Sequence, residues 1–127
     1  MKKIITLLVL TLFSLHAECI DYNNMKLNIK TNLMWSAQAT LNQNWTNADS
    51  YCSGLSQGGF TDWVLPNINQ LESERVNAGE SAVCFTPNGN WSSTPKTSTD
   101  NFIMQSDSVF YVAKTDLKKV RCVRLNQ

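Results

Sequence analysis

Trp45-Thr46-Asn47-Ala48-Asp49-Ser50-Tyr51-Cys52-Ser53-Gly54-Leu55, followed by Gly58-Gly59-Phe60-Thr61-Asp62-Trp63-Val64-Leu65-Pro66 and then Asn67-Ile68-Asn69-Gln70-Leu71, is the stretch that decides the fold. In its first segment Ala48, Tyr51, Cys52 and Leu55 recur at i, i+3, i+4 and i+7, which places them on one helix face. A helix over 45–55 is therefore predicted, with Cys52 on its buried side. Thr46, with Asp49 three residues on, supplies a near relative of the capping box, and Gly58-Gly59 ends the element. Trp63-Val64-Leu65 reads as a short buried strand that stops at Pro66. Asn67 then caps a second helix from Ile68 to about Arg75, with Ile68, Leu71 and Arg75 on a shared face.

Outward from this stretch the pattern turns β-like. Over 21–39, Leu27 and Ile29 alternate, Thr31-Asn32 offers a turn, and Leu33-Met34-Trp35 resumes an apolar strand. Residues 76–87 are irregular and hold Cys84. Asn88-Gly89 is a tight turn into Asn90-Trp91-Ser92-Ser93-Thr94, and 96–101 is a polar loop. Residues 102–105, 108–113 and 119–125 read as three closing strands, the last turning Val120 and Cys122 inward and Arg121 outward. The class is α+β, with two helices early and an antiparallel sheet drawn from both ends of the chain.

The first 17 residues have the features of an export signal. Lys2 and Lys3 precede an apolar run over 4–15, too short to span a bilayer comfortably, and small Ala17 sits at the expected cleavage point. With 1–17 read as signal peptide, 18–127 form one domain of ordinary size. Of 11 basic side chains, Lys2 and Lys3 fall in the signal, so nine face the ten acidic ones. That balance argues against nucleic acid, which requires a basic stripe, and against a polybasic membrane contact. No insertion into a membrane is expected once the signal is cleaved, and a periplasmic, secreted or cell-surface location follows.

His16, the single histidine, also lies in the signal. A mature chain without histidine has no Ser-His-Asp or Cys-His machinery and no histidine metal site. Four cysteines remain, Cys19, Cys52, Cys84 and Cys122. In an oxidising compartment an even number reads as two disulfides, for which three connectivities exist. No C-x-x-C spacing supports zinc.

Several blocks taken together resemble a known family. They are Asn32-Leu33-Met34-Trp35; Trp45-Thr46-Asn47-Ala48 leading to Tyr51-Cys52; Gly58-Gly59-Phe60-Thr61-Asp62-Trp63; Leu65-Pro66-Asn67-Ile68-Asn69-Gln70-Leu71-Glu72; Trp91-Ser92-Ser93-Thr94-Pro95; and Val120-Arg121-Cys122-Val123-Arg124. In this order they look like the Lcl C-terminal domain family, named for the C-terminal domain of a bacterial collagen-like adhesin, most of whose members are domains of unknown function. The resemblance implies a small C-type-lectin-like fold, with two helices on a twisted antiparallel sheet whose N- and C-terminal strands are adjacent. It also implies that Cys52 pairs with Cys122, which leaves Cys19 and Cys84 as a second pair by elimination. The chain departs from the family pattern at Val64, where arginine is common, at Asn67, where threonine is usual, and at Cys19 and Cys84, which lie outside it.

Each tempting motif has a plainer reading. Trp35, Trp45, Trp63 and Trp91 could stack sugars, but large rings at block boundaries more often fill the core and bond through their N–H. Ser92 and Ser93 lack a base to activate a hydroxyl and suit backbone bonding better. Glu72, Glu74 and Glu80 fall short of the six to eight oxygens calcium takes. Arg121 and Arg124 could meet anionic glycans, yet paired arginines are commonly solvated or bridged to acids. Asn44-Trp45-Thr46 and Asn90-Trp91-Ser92 match a glycosylation sequon, but each embeds a core tryptophan.

The function expected is an exported, non-catalytic binding module without cofactor or metal. It would recognise a glycan, or an envelope or host protein, through the loop region 76–101. Glu80, Phe85, Asn88, Asn90 and Lys96 are the candidate contacts, with Lys114 as a further charged one. Phe85 is either a rigid aromatic anchor or a plug over a satellite core. The alternatives are a cysteine-dependent enzyme related to sulfatase-modifying domains, for which Cys84 would have to be a free thiol, and a structural envelope subunit.

Overall fold

The computed structural model describes residues 19–75 and 84–127. Its element order is β1 (Cys19–Tyr22), β2 (Met25–Asn28), β3 (Leu33–Trp35), α1 (Trp45–Ser53), a 3-10 turn (Gln57–Gly59), α2 (Ile68–Glu74), β4 (Asn90–Pro95), β5 (Asp100–Met104), β6 (Val109–Ala113) and β7 (Val123–Leu125). The α+β class with two helices and two disulfides stands. The single sheet does not, because the strands form two antiparallel sheets, ordered β1-β2-β3-β7 and β4-β5-β6. Nor are the terminal strands adjacent: β7 pairs with β3, and β1 lies at the opposite edge of the same sheet.

The segment before β7 joins the two sheets. On one side Ser36 and Ala39 donate their N–H groups to the Cys122 and Val120 carbonyls, and Gln43 and Lys118 exchange two bonds. On the other side Trp91 donates to the Lys119 carbonyl, and the Lys119 N–H donates to Gly89. The closing segment therefore pairs on both sides, and only its last three residues belong to a sheet ladder.

Apolar alternation in these strands produces two cores. Met25, Met34, Ala48, Cys52, Trp63, Leu65, Trp91, Ile103, Val120 and Cys122 make the first. Leu33, Trp35, Leu71, Met104 and Val123 make the second, with Ile68, Cys84 and Phe85 against it. Successive strand residues point to opposite faces, so Met34 enters one core while Leu33 and Trp35 enter the other. Ile103 and Met104 divide in the same way, with α1 covering the first face and α2 the second. All three residues of β3 are buried for this reason. Val123, the residue after inward-facing Cys122, belongs to the second core.

Local chemistry places the helix starts and the turns. The α1 cap is Asn44 rather than Thr46: its backbone is extended and its side chain accepts the Asn47 N–H. Thr46 already lies inside the helix, which ends on Gly54 rather than at the diglycine. Gly58 and Gly59 instead form the separate turn, with φ of 69° and 82°. Asn67 and Gln70 form a reciprocal capping box on α2. A hairpin not anticipated from the sequence joins β1 to β2 through Asn23 and Asn24, both at positive φ as a type I′ turn requires. Trp63-Val64-Leu65 makes a single bridge, Val64 to Val123, with Trp63 and Leu65 buried and Val64 outward. The disulfides are Cys52–Cys122 and Cys19–Cys84, with Cα separations of 5.5 and 5.2 Å.

Candidate functional site

The second sheet carries, on the same face as Met104, an apolar pair that belongs to neither core. In the β5–β6 register Phe102 stands opposite Tyr111. Their rings meet edge to face at 6.4 Å between centroids. Lys96, exposed on the turn that connects β4 to β5, holds its Nζ 5.8 Å from the Phe102 centroid and 5.2 Å from that of Tyr111. The turn is shaped by Thr97, whose Oγ1 accepts the N–H groups of Thr99 and Asp100, while Lys96 and Thr97 donate theirs to the Asp100 carbonyl. Tyr111 retains 56 % of its surface to solvent, and Val109 and Phe110 beside it are also exposed. An aromatic pair spanned by an ammonium can take the C–H face of a sugar or an apolar side chain, with the cation supplying a donor.

Of the contacts expected within 76–101, only part joins this face. Lys96 does. Asn88 is exposed at the preceding turn. Asn90 is 1 % exposed and serves that turn, its Oδ1 accepting the Asn88 N–H, so its side chain is not presented to a ligand. Phe85 packs its ring on Trp35 at 4.9 Å, and the Arg121 guanidinium lies 4.4 Å from its centroid. Partly buried Phe85 thus packs against the second core and meets Arg121, the position of a plug on that core. Glu80 lies outside the described residues. Lys114 sits over the Trp45 ring at 4.6 Å, at the far end of β6.

Beneath Phe85 lies a buried polar cluster that periodicity could not reveal. Glu74 is fully buried at the end of α2. Its Oε2 accepts from Asn28 Nδ2 at 2.6 Å and from Trp35 Nε1 at 3.0 Å, and its Oε1 accepts the Cys84 N–H at 3.0 Å. Burial lowers the Arg121 pKa from its ordinary value, and the Glu74 charge opposes that shift. Arg121 also donates to the Ser36 carbonyl at 3.0 Å. A carboxylate satisfied in this way is a structural anchor, and Glu74 is not available to calcium. Arg124 forks onto Asp62 at 2.6 and 3.3 Å and stacks on Phe60 at 3.7 Å. The hydrogen bond to Arg124 holds the Asp62 carboxyl below its ordinary pKa. Neither arginine stands free.

The other motifs take their plainer readings. Trp35, Trp63 and Trp91 are buried, and all four indoles donate, to Glu74 and to the Ser92, Gln57 and Gln43 carbonyls. Ser92 Oγ donates to the Phe102 carbonyl and accepts from Thr94. Of the sequon asparagines, Asn90 is buried and Asn44 is engaged in capping. Among the described residues no cluster of three or more metal-ligating side chains occurs, and no helix is long and apolar enough to cross a membrane.

Two clefts among the described residues bear on binding. One, of about 500 Å³, is lined by Asp21, Tyr22, Asn23, Asn24, Lys26, Ala37, Gln38 and Arg121. The other, of about 710 Å³, runs along 37–44 to Asn47, Tyr51 and Leu117.

These features define a small disulfide-stapled α+β domain with solvent-facing aromatic and polar surfaces on a doubly cored frame. The chain belongs to the Lcl C-terminal domain family, whose pattern matches residues 25–124. That span takes in every element except β1 and the end of β7. No curated protein matches the chain.

Proposed function

We propose that this domain is an exported, non-catalytic binding module that takes a glycan or protein ligand at the cell envelope. The observation that carries the reading is the Lys96–Phe102–Tyr111 face, an aromatic pair spanned by a cation and left outside both cores. Membership of a family named for an adhesin's C-terminal domain supports it, as an argument from kinship. The two disulfides support an oxidising location, periplasmic or extracellular, and the basic-then-apolar leader over 1–17 supports export. Two helices packed on antiparallel sheet, with the Cys52–Cys122 bond closing the domain, support a C-type-lectin-like reading of the fold. Recognition then centres on the turn 96–100 and the strands behind it, with exposed Asn88 as a peripheral contact.

A non-catalytic role is supported by the absence of histidine from 18–127 and by the bonding of Cys84 to Cys19. A cysteine-dependent enzyme would need that thiol free, so titration of native protein with a thiol reagent tests this part of the reading. No labelled cysteine is expected, and stoichiometric labelling of Cys84 would overturn it. Binding itself is tested with a glycan array and with affinity capture from envelope extract. Lys96→Ala combined with Tyr111→Ala should abolish capture while the Tm stays within a few degrees. Undiminished capture by the folded double variant would remove the site from this face.

A further inference from the structure

We infer that the cleft along 37–44, Asn47, Tyr51 and Leu117 is a second binding site, built for an uncharged oligosaccharide and independent of the aromatic face. Its volume of about 710 Å³ lies within the range of small-ligand sites. No lysine, arginine, aspartate or glutamate lines it. A charged ligand would lose its hydration there without meeting a counter-charge.

The lining is instead a series of side-chain amides, Gln38, Asn42, Gln43, Asn44 and Asn47. An amide offers two donor hydrogens and an acceptor oxygen, which complements hydroxyl and acetamido groups that also donate and accept. Gln38, Asn42 and Asn47 are exposed, and among the described residues their side chains make no hydrogen bond to the protein. Asn44 commits only its Oδ1 to the helix cap, leaving its NH₂.

Part of the backbone along the cleft is already paired. Gln43 exchanges two bonds with Lys118, Ala39 donates to Val120, and Trp45 donates to Lys114. The exposed side-chain amides are the recognition groups. Apolar surface is present as well: half-buried Tyr51 packs on the first core from α1, and Leu41 and Leu117 are 73 and 63 % exposed. Such surfaces cover the C–H faces of a pyranose, while the amides reach its rim. The geometry is held from beneath, since Gln43 also accepts the Trp91 indole and Cys52, one residue after Tyr51, is fixed to Cys122.

The test is a titration of the isotope-labelled 18–127 domain, disulfides intact, with acetylated chitotetraose and with cellotetraose, followed by NMR. At least one saccharide should shift the side-chain amides of Gln38, Asn42 and Asn47 and the backbone of 38–47. Asn42→Ala with Asn47→Ala should weaken that binding by about ten-fold or more. Both positions are exposed, so the fold should survive, and the unchanged dispersion of the remaining signals checks that. Lys30→Ala, exposed and outside both the cleft and the aromatic face, should leave the affinity unchanged. The inference is overturned if neither saccharide shifts the cleft, if the shifts map to Phe102 and Tyr111 instead, or if the folded double variant binds as tightly as the parent.

Discussion

Glu74 shows how one side chain can organise a neighbourhood. It ends α2, yet its carboxylate lies in the interior and collects donors from β2, from β3 and from the backbone of Cys84. Glu74→Ala would orphan those donors and leave the Arg121 charge without its acidic neighbour, and losses of this kind cost about 3 kcal/mol or more. Urea denaturation should show that drop, with Glu74→Gln recovering part of it because one carbonyl oxygen remains. A loss below about 1 kcal/mol for the alanine variant would contradict an anchoring role. Asp62 provides a pH response of defined sign. Its carboxyl is held low mainly by the hydrogen bond from Arg124, so its contribution is complete above the unfolded carboxylate value of about 4. The contribution is lost as the pH falls through the lower folded value. Denaturant midpoints measured from pH 5 down to pH 2 should therefore fall more steeply for the parent than for Asp62→Asn. Parallel curves would show that the ion pair does not titrate as described.

At the level of elements, the turn at 57–59 brings the backbone tight against Met25 of the first core. Gly58 has φ of 69°, and a Cβ there would lie 2.6 Å from Met25 Cε. Gly59 has a similar φ of 82° but open space around it. Both alanine substitutions should cost the strain of a left-handed residue, about 1–3 kcal/mol. Gly58→Ala should cost more, because the fully buried Met25 must also move. Comparing the Tm of the two variants isolates that contact, and equal losses would show that Met25 yields freely. Much of this level was legible beforehand. The Ala48/Tyr51/Cys52/Leu55 spacing located α1, and Asn67 located the start of α2, because helix period and capping are local properties. The α1 cap was displaced by two residues since Asn44 and Thr46 are both competent caps, and the choice rests on where the chain enters from Gln43, tied to Lys118. The sequence marks Phe102 and Tyr111 as strand residues but not as a surface pair, since facing across β5 and β6 depends on register. Their alternation with Ile103 and Phe110 was the available signal.

Across the molecule, the disulfides join ends that sequence order keeps apart. Cys52–Cys122 ties α1 to the closing segment across a sequence separation of 70, and Cys19–Cys84 ties edge strand β1 to the start of the second half. Restricting the unfolded chain over a loop of that length stabilises by about 4 kcal/mol on the chain-entropy view. That is a large share of the total stability of a domain this small. Cys52→Ala with Cys122→Ala should lower the unfolding free energy by about that amount in urea, and non-reducing peptide mapping of the parent should yield the 19–84 and 52–122 peptides. A drop under about 1 kcal/mol would mean that the paired sheets already confine the loop. By itself the sequence determined the α+β class, the helices, the buried tryptophans and, through kinship, the Cys52–Cys122 bond, because these follow from spacing, side-chain chemistry and an order of blocks that matches the family. Only the tertiary structure decided that there are two sheets with a core on each face, that Glu74 is buried, and that β7 pairs with β3 rather than β1. Those outcomes depend on register and on contacts between residues distant in the chain, and local patterning leaves such contacts degenerate.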